Sequence, residues 1–128
     1  MAIYDVTDLK VYNRSLNILK NVYILASQIP DSHQRLKTQI INSSESIPPL
    51  IAEGFAKRSS SKEFKRFLKM AMGSSDETIT HARETYILSN SVRRIDKILC
   101  VKVSNEYKII SKELNNLIKK WVDYHYSI

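Results

Sequence analysis

SIPPLIAEGFAKRSSSKEFKRFLKMAMGSS, residues 46–75, reads as two helices and the turn between them. The first half is apolar at helical spacing through Ile47, Ile51 and Phe55, and Lys57-Arg58-Ser59-Ser60-Ser61 breaks the pattern. In the second half Lys62, Lys65, Arg66 and Lys69 stand at i, i+3, i+4 and i+7. At about 100° per residue they share one helix face, with Phe64, Phe67, Leu68 and Ala71 on the opposite one. One of Ser59, Ser60 and Ser61 is the expected N-cap, with Glu63 placed for a capping box. A single helix thus feeds a core and displays a cationic ridge.

The rest of the chain supplies helices to pack against this pair. Upstream, Leu9, Tyr12, Leu16, Leu19, Tyr23 and Ala26 alternate steps of three and four, a heptad seam that Asp8 can cap and Pro30 ends. Val22, Leu25 and Ile29 widen the stripe, so this helix meets more than one neighbour. The loop Ile29-Pro30-Asp31-Ser32 is short, with Asp31 or Ser32 as the next N-cap, which makes helices one and two antiparallel. Leu36, Ile40, Ile47, Ile51 and Phe55 carry the apolar face of helix two, passing over Ser43 and Ser44, whose hydroxyls can bond to the preceding turn.

Pro48-Pro49 interrupts that face. A proline within a helix removes a hydrogen bond and clashes with the carbonyl four residues back, at about 3 kcal/mol. Two arrangements accommodate it: one kinked helix, or a break after Ser46 with Pro48 in the first turn of a new helix. The apolar phase is kept across the prolines, which favours the kink. Helix three continues from the ridge through Ala71, Ser75, Thr78 or Ile79, Ala82, Tyr86 and Ser89. A mid-helix Gly73 costs about 1 kcal/mol relative to Ala, and the small run Ala71, Gly73, Ser74, Ser75 points to close approach by another helix. After Asn90-Ser91 comes a basic connector, Arg93, Arg94 and Lys97 against Asp96, and then Val103, Tyr107, Ile110, Leu114, Leu117, Trp121 and Tyr124 at helical spacing. The expected fold is all-α, an up-down-up-down four-helix bundle with a proline kink in helix two, forming a single domain over residues 1–128.

Composition agrees. The 128 residues hold two glycines and three prolines, too few for a turn-rich sheet protein, and 43% are hydrophobic, too many for a disordered tail. Lys plus Arg exceed Asp plus Glu by 20 to 13, a net charge of +7 with a pI near 9.5, which suits nucleic acid or an acidic partner. Cys100 stands alone, so no internal disulfide can form. No apolar run is long enough to span a bilayer, and the acidic start MAIYDVTDLK is unlike a signal peptide, which gives the expectation of a cytoplasmic protein.

Little in the sequence points to catalysis. Asp76, Glu77 and Glu53 lie near the small-residue patch without a placed partner, and bonds to serines, backbone or lysines account for them. His81 follows Glu77 by four residues as a surface pair, and His33 and His125 are isolated, so no metal site is expected. There is no Gly-rich phosphate loop, nucleophile elbow or H-E-x-x-H, and no histidine is preceded by an Arg with four to six residues between them as in small helical nucleases. The expectation is a non-enzymatic protein without cofactor or metal. Trp121, Tyr124, His125 and Tyr126 either finish the core or make a subunit contact. Wide apolar stripes on helices one and three lead to the expectation of a homo-oligomer.

Several motifs are familiar in combination: Asp8-Leu9-Lys10-Val11-Tyr12, Ile29-Pro30, Gln39-Ile40, Ser46-Ile47-Pro48, Ile51-Ala52-Glu53-Gly54, Lys62-Glu63-Phe64, Phe67-Leu68 and Ala71-Met72-Gly73-Ser74 to Glu77. In this order they resemble the four-helix-bundle proteins encoded in intervening sequences of ribosomal RNA, including 23S rRNA, often labelled the S23 family. The resemblance covers essentially the whole chain. It implies a ring-like homopentamer and a relation to the accessory variability protein of diversity-generating retroelements, which binds reverse transcriptase and nucleic acid through a basic surface. Pro49-Leu50 departs from the pattern, in which a small residue and Asn precede IAEG. The motif's polar members here are Ser46, Glu53, Ser74 and Glu77, read as structural.

Two functions follow as expectations. The first is weakly sequence-selective binding of RNA or DNA through Lys57, Arg58, Lys62, Lys65, Arg66 and Lys69, helped by Arg93, Arg94 and Lys97, because cations repeated along a rigid helix match phosphates without reading bases. The second is an adaptor whose basic surface docks an acidic protein such as a polymerase domain. The ridge lacks acidic i, i+4 partners, which favours binding over simple solvation.

Overall fold

The computed structural model describes the backbone of residues 3–127 and the side chains of residues 3–121. The helices are α1 (Lys10–Asn17), α2 (Leu19–Gln28), α3 (Gln34–Glu45), α4 (Ile47–Ala56), α5 (Ser61–Leu88) and α6 (Lys97–Ser127), with 3-10 turns at Val6–Asp8 and Asp31–His33. Among the described residues there is no strand. The first four helices pair end to end, α1 with α2 through Ile18 and α3 with α4 through Ser46, both junction residues still right-handed helical. Four rods result, and each packs on two others: α1 lies on α4 and α2 on α3, α3 and α4 lie on α5, α5 on α6, and α6 returns to α1 and α2. This is the expected all-α four-helix bundle.

The prolines explain the junction at Ser46. Pro48 and Pro49 sit in the first turn of α4, where a missing N–H removes no bond that the new helix needs. The chain keeps its ladder around them, with Ser46 N–H donating to Asn42 O and Leu50 N–H to Ser46 O. Where a single kinked helix is expected, there are two segments meeting at Ser46, the boundary of the alternative arrangement.

Two helix starts differ from expectation. Asp5, not Asp8, is a capping residue: its carboxylate accepts from Thr7 N–H while the Asp8 carboxylate accepts from Tyr4 and Asp5 N–H, a capping box closed on the 3-10 turn. These bonds hold both carboxyls below their usual range, Asp5 chiefly through Thr7 and Asp8 through the Asp5 and Tyr4 amides. Leu9 then occupies the N-cap of α1 without a side-chain cap. Before α3 a 3-10 turn intervenes, so His33 rather than Asp31 or Ser32 stands at the N-cap, and Asp31 instead pairs with Lys37 at 3.1 Å.

The core also departs from the expected seam. Leu9, Ala26, Val22, Leu25 and Ile29 are buried as expected, but Leu16 and Tyr23 are 42% and 44% exposed and Val11, Ser15 and Ile18 are buried in their place. The buried stripe is thus centred about one residue away from the expected seam. Ile40, Ile47, Ile51, Phe64, Leu68, Val103, Tyr107, Ile110 and Leu114 are fully enclosed. Burial pushes the Tyr107 phenol up. Trp121 sets its ring edge to face on Phe64 at 4.7 Å, finishing the core at that end, while Tyr124, His125 and Tyr126 lie outside the described side chains.

A seam of hydroxyls crosses this core. Ser43 and Thr78 meet at 2.8 Å between α3 and α5. Ser75 Oγ donates to Tyr107 O at 2.9 Å, and Ser111 Oγ lies 2.7 Å from both Ser75 Oγ and Asp76 Oδ1, tying α5 to α6. Ser44 Oγ donates to Ile41 O in the preceding turn, as its place on helix two leads one to expect.

Candidate nucleic-acid interface

Helix α5 begins where a serine can hold it. Ser60, extended at φ −104°, accepts from Glu63 N–H at 3.2 Å. The reciprocal half of the box is missing: the Glu63 carboxylate turns to Arg66, at 3.0 Å. That bond lowers the Glu63 carboxyl below its usual range. Arg66 is therefore partly neutralised by an i, i+3 partner, and the expectation that the ridge lacks acidic i, i+4 partners fails at Lys57, which stands 3.7 Å from Glu53.

The remaining ridge cations differ in setting. Lys62 and Lys69 are exposed and Lys65 half-buried, and among the described residues none of the three is in an ion pair. Lys57 stands 3.7 Å from Glu53 and 4.8 Å from the Phe67 ring centroid, with the Arg66 guanidinium 4.6 Å from the same centroid. Arg58 lies over Phe55 at 4.0 Å and donates to Phe55 O at 3.0 Å. The aromatic faces thus orient three of the six cations. Phe64 and Phe67 are buried, so neither offers a base-stacking platform.

Gly54 sets how closely α4 and α5 approach behind this surface. A Cβ there would stand 2.7 Å from Phe67 Cβ and 3.3 Å from Phe64 Cδ1. Gly73, the expected close-approach position, is exposed with nothing within 4 Å of where its Cβ would be. The small residue that the packing requires is the one beside the ridge.

Arg93, Arg94 and Lys97 are not part of this surface. They follow the C-terminus of α5, about 39 Å along its axis from Lys62 to Leu88 at 1.5 Å per residue. Arg94 Nε donates to Gln28 O at 2.9 Å, and Lys97 bonds Asn90 and covers the Tyr86 ring at 5.2 Å. The nine cations form two groups at opposite ends of the bundle.

Among the described residues the acidic and histidine side chains singled out in the sequence lie apart or in local pairs. Glu53 pairs with Lys57, and Asp76 accepts from Ser111 between helices. His81, read as a surface residue, is buried at 8% exposure, with Nδ1 2.8 Å from Glu84 and Nε2 3.1 Å from Glu77. Its burial follows a second stripe, Thr78, His81 and Thr85, that an apolar pattern search passes over. Among the described residues no group of three metal-capable side chains converges, and no helix is long and apolar enough to cross a membrane. The model of a protein family described as 23S rRNA-intervening sequence protein matches residues 7–116. No curated protein matches the chain.

Proposed function

We propose, from the premise that the chain belongs to the 23S rRNA-intervening sequence protein family, that it is a non-enzymatic protein binding RNA through the α5 ridge. The supporting observation is the unpaired set Lys62, Lys65 and Lys69, held on one rigid helix beside cations fixed over Phe55 and Phe67. Each cation that meets a phosphate releases counterions, so affinity comes from charge and spacing and not from base edges. The family description, which names an RNA, is the reason to place RNA before DNA or an acidic protein. The working form on this reading is a cytoplasmic homo-oligomer, a pentamer, in which the ridge repeats around a ring and avidity multiplies weak contacts.

The experiment is a titration of ribosomal RNA fragments across a salt series, beside a Lys62→Glu, Lys65→Glu, Lys69→Glu variant of unchanged oligomer size. The expected result is a steep fall of affinity with salt, with a slope shallower by about 0.7 per lost contact on single strands in the variant. Absence of binding at low salt, or a variant with the parent's slope, would overturn the reading. Sedimentation of the purified chain tests the oligomer separately, and a monomer at all concentrations would remove that part.

A further inference from the structure

A second surface carries a different chemistry. Where the end of α5 meets the start of α6, two shallow depressions adjoin, of about 370 and 160 Å³, and Tyr86 and Val101 line both. They form one groove with an apolar floor completed by Ala82 and Cys100. Its edge is exposed: Ile98 is 82% accessible, Val101 46% and Tyr86 40%. Scattered exposed apolar residues are ordinary, but Tyr86, Ile98 and Val101 border one depression together, a contiguous patch of the kind that marks a contact surface.

The rim of the groove is cationic. Arg83, Lys97, Lys102 and Lys108 line it, and no carboxylate is among the described lining residues. The acids adjoining the lining residues in sequence are engaged elsewhere, Asp96 by the Ile98 and Leu99 backbone amides, Glu84 by His81 and Glu106 by Arg14. We propose that this groove docks an amphipathic helix of a protein partner, with apolar residues at i, i+3 or i+4 and i+7 facing Tyr86, Ile98 and Val101 and acidic residues facing the rim. The cationic rim complements acidic flanks, and an amphipathic helix with an apolar face is a unit that such grooves bind. RNA fits this floor less well, because Lys97 already covers the Tyr86 ring at 5.2 Å and the isoleucine and valine beside it offer no stacking face.

The test is fluorescence anisotropy with a labelled three-turn synthetic peptide carrying leucines at that spacing and glutamates on both flanks. A scrambled peptide of the same composition is the control. The expected outcome is binding of the patterned peptide alone, weakened about tenfold or more by Val101→Asp, the effect of losing one interface anchor. Ile98→Ser, at a position where folding is not at stake, should weaken it in the same direction. The Lys62→Glu, Lys65→Glu, Lys69→Glu variant should bind the peptide as the parent does, which separates this groove from the ridge. Equal binding of the scrambled peptide, no binding, or indifference to both groove substitutions would overturn the proposal. So would loss of self-association in the Val101→Asp chain alone, which would assign the groove to a second copy.

Discussion

Gly54 and Gly73 are the chain's two glycines, and their surroundings give substitutions of opposite sign. Gly54→Ala places a methyl 2.7 Å from Phe67 Cβ, an overlap that only backbone displacement between α4 and α5 relieves, at about 1–3 kcal/mol. Gly73→Ala meets open space on an exposed helix turn and should stabilise by roughly 0.5–1 kcal/mol. Paired urea unfolding curves check both, and a stabilised Gly54→Ala would show that the contact is not as tight as it stands. Composition marks both residues as small, but only the partner across the interface, Phe67, distinguishes them, and that pairing is not local. Cys100 is a further case in which environment decides behaviour. Burial pushes its thiol up to about 11, against ~8.5 for a free cysteine. At pH 8 the reactive thiolate is then scarcer, and labelling by a disulfide reagent should be slower in the folded chain than in urea.

At the scale of elements, beginnings were harder to read than faces. Ser60 lay among the three candidate caps because a serine run precedes a periodic segment, and Ser60→Ala should cost about 1 kcal/mol in thermal or urea melts. Glu63 could not be assigned locally, since Arg66 three residues on competes for it and wins with a charge-assisted bond. The same limit displaced the first helix start. Asp5 and Asp8 satisfy each other's turn, leaving α1 to begin without a side-chain cap. Both carboxyls have lowered folded values, so their contribution is present above the unfolded value near 4 and is lost as pH falls through the folded one. Asp8→Asn should therefore lower the melting temperature at pH 7 and narrow its gap from the parent as the pH drops below 4. The two outward members of the helix-one seam have a similar origin: Leu16 and Tyr23 keep the right period, but only the neighbouring rods fix which side of a wide stripe turns inward.

For the whole molecule, the bundle was legible because sparse glycine and proline, short loops and sustained three-four spacing all constrain the same architecture. The grouping of nine cations was not, because sequence distance says nothing of which end of a long helix a connector reaches. Arg93, Arg94 and Lys97 stand beyond one end of α5 and Lys57 and Arg58 before the other. An RNA too short to span about 40 Å should thus lose affinity with Lys62→Glu, Lys65→Glu, Lys69→Glu and remain indifferent to Arg93→Glu, Arg94→Glu, Lys97→Glu, whereas a longer one should respond to both in gel-shift titrations. The hydroxyl seam through Ser43, Thr78, Ser75 and Ser111 has a mechanical consequence at this scale. Greasy side chains let rods slip past one another by a turn and find new neighbours, but the buried Ser75 hydroxyl, whose partners Tyr107 O and Ser111 Oγ both lie on α6, is orphaned by a slip at about 1–3 kcal/mol. Under tension along its length, the molecule resists shear like a keyed shaft, holding one alignment until the key fails.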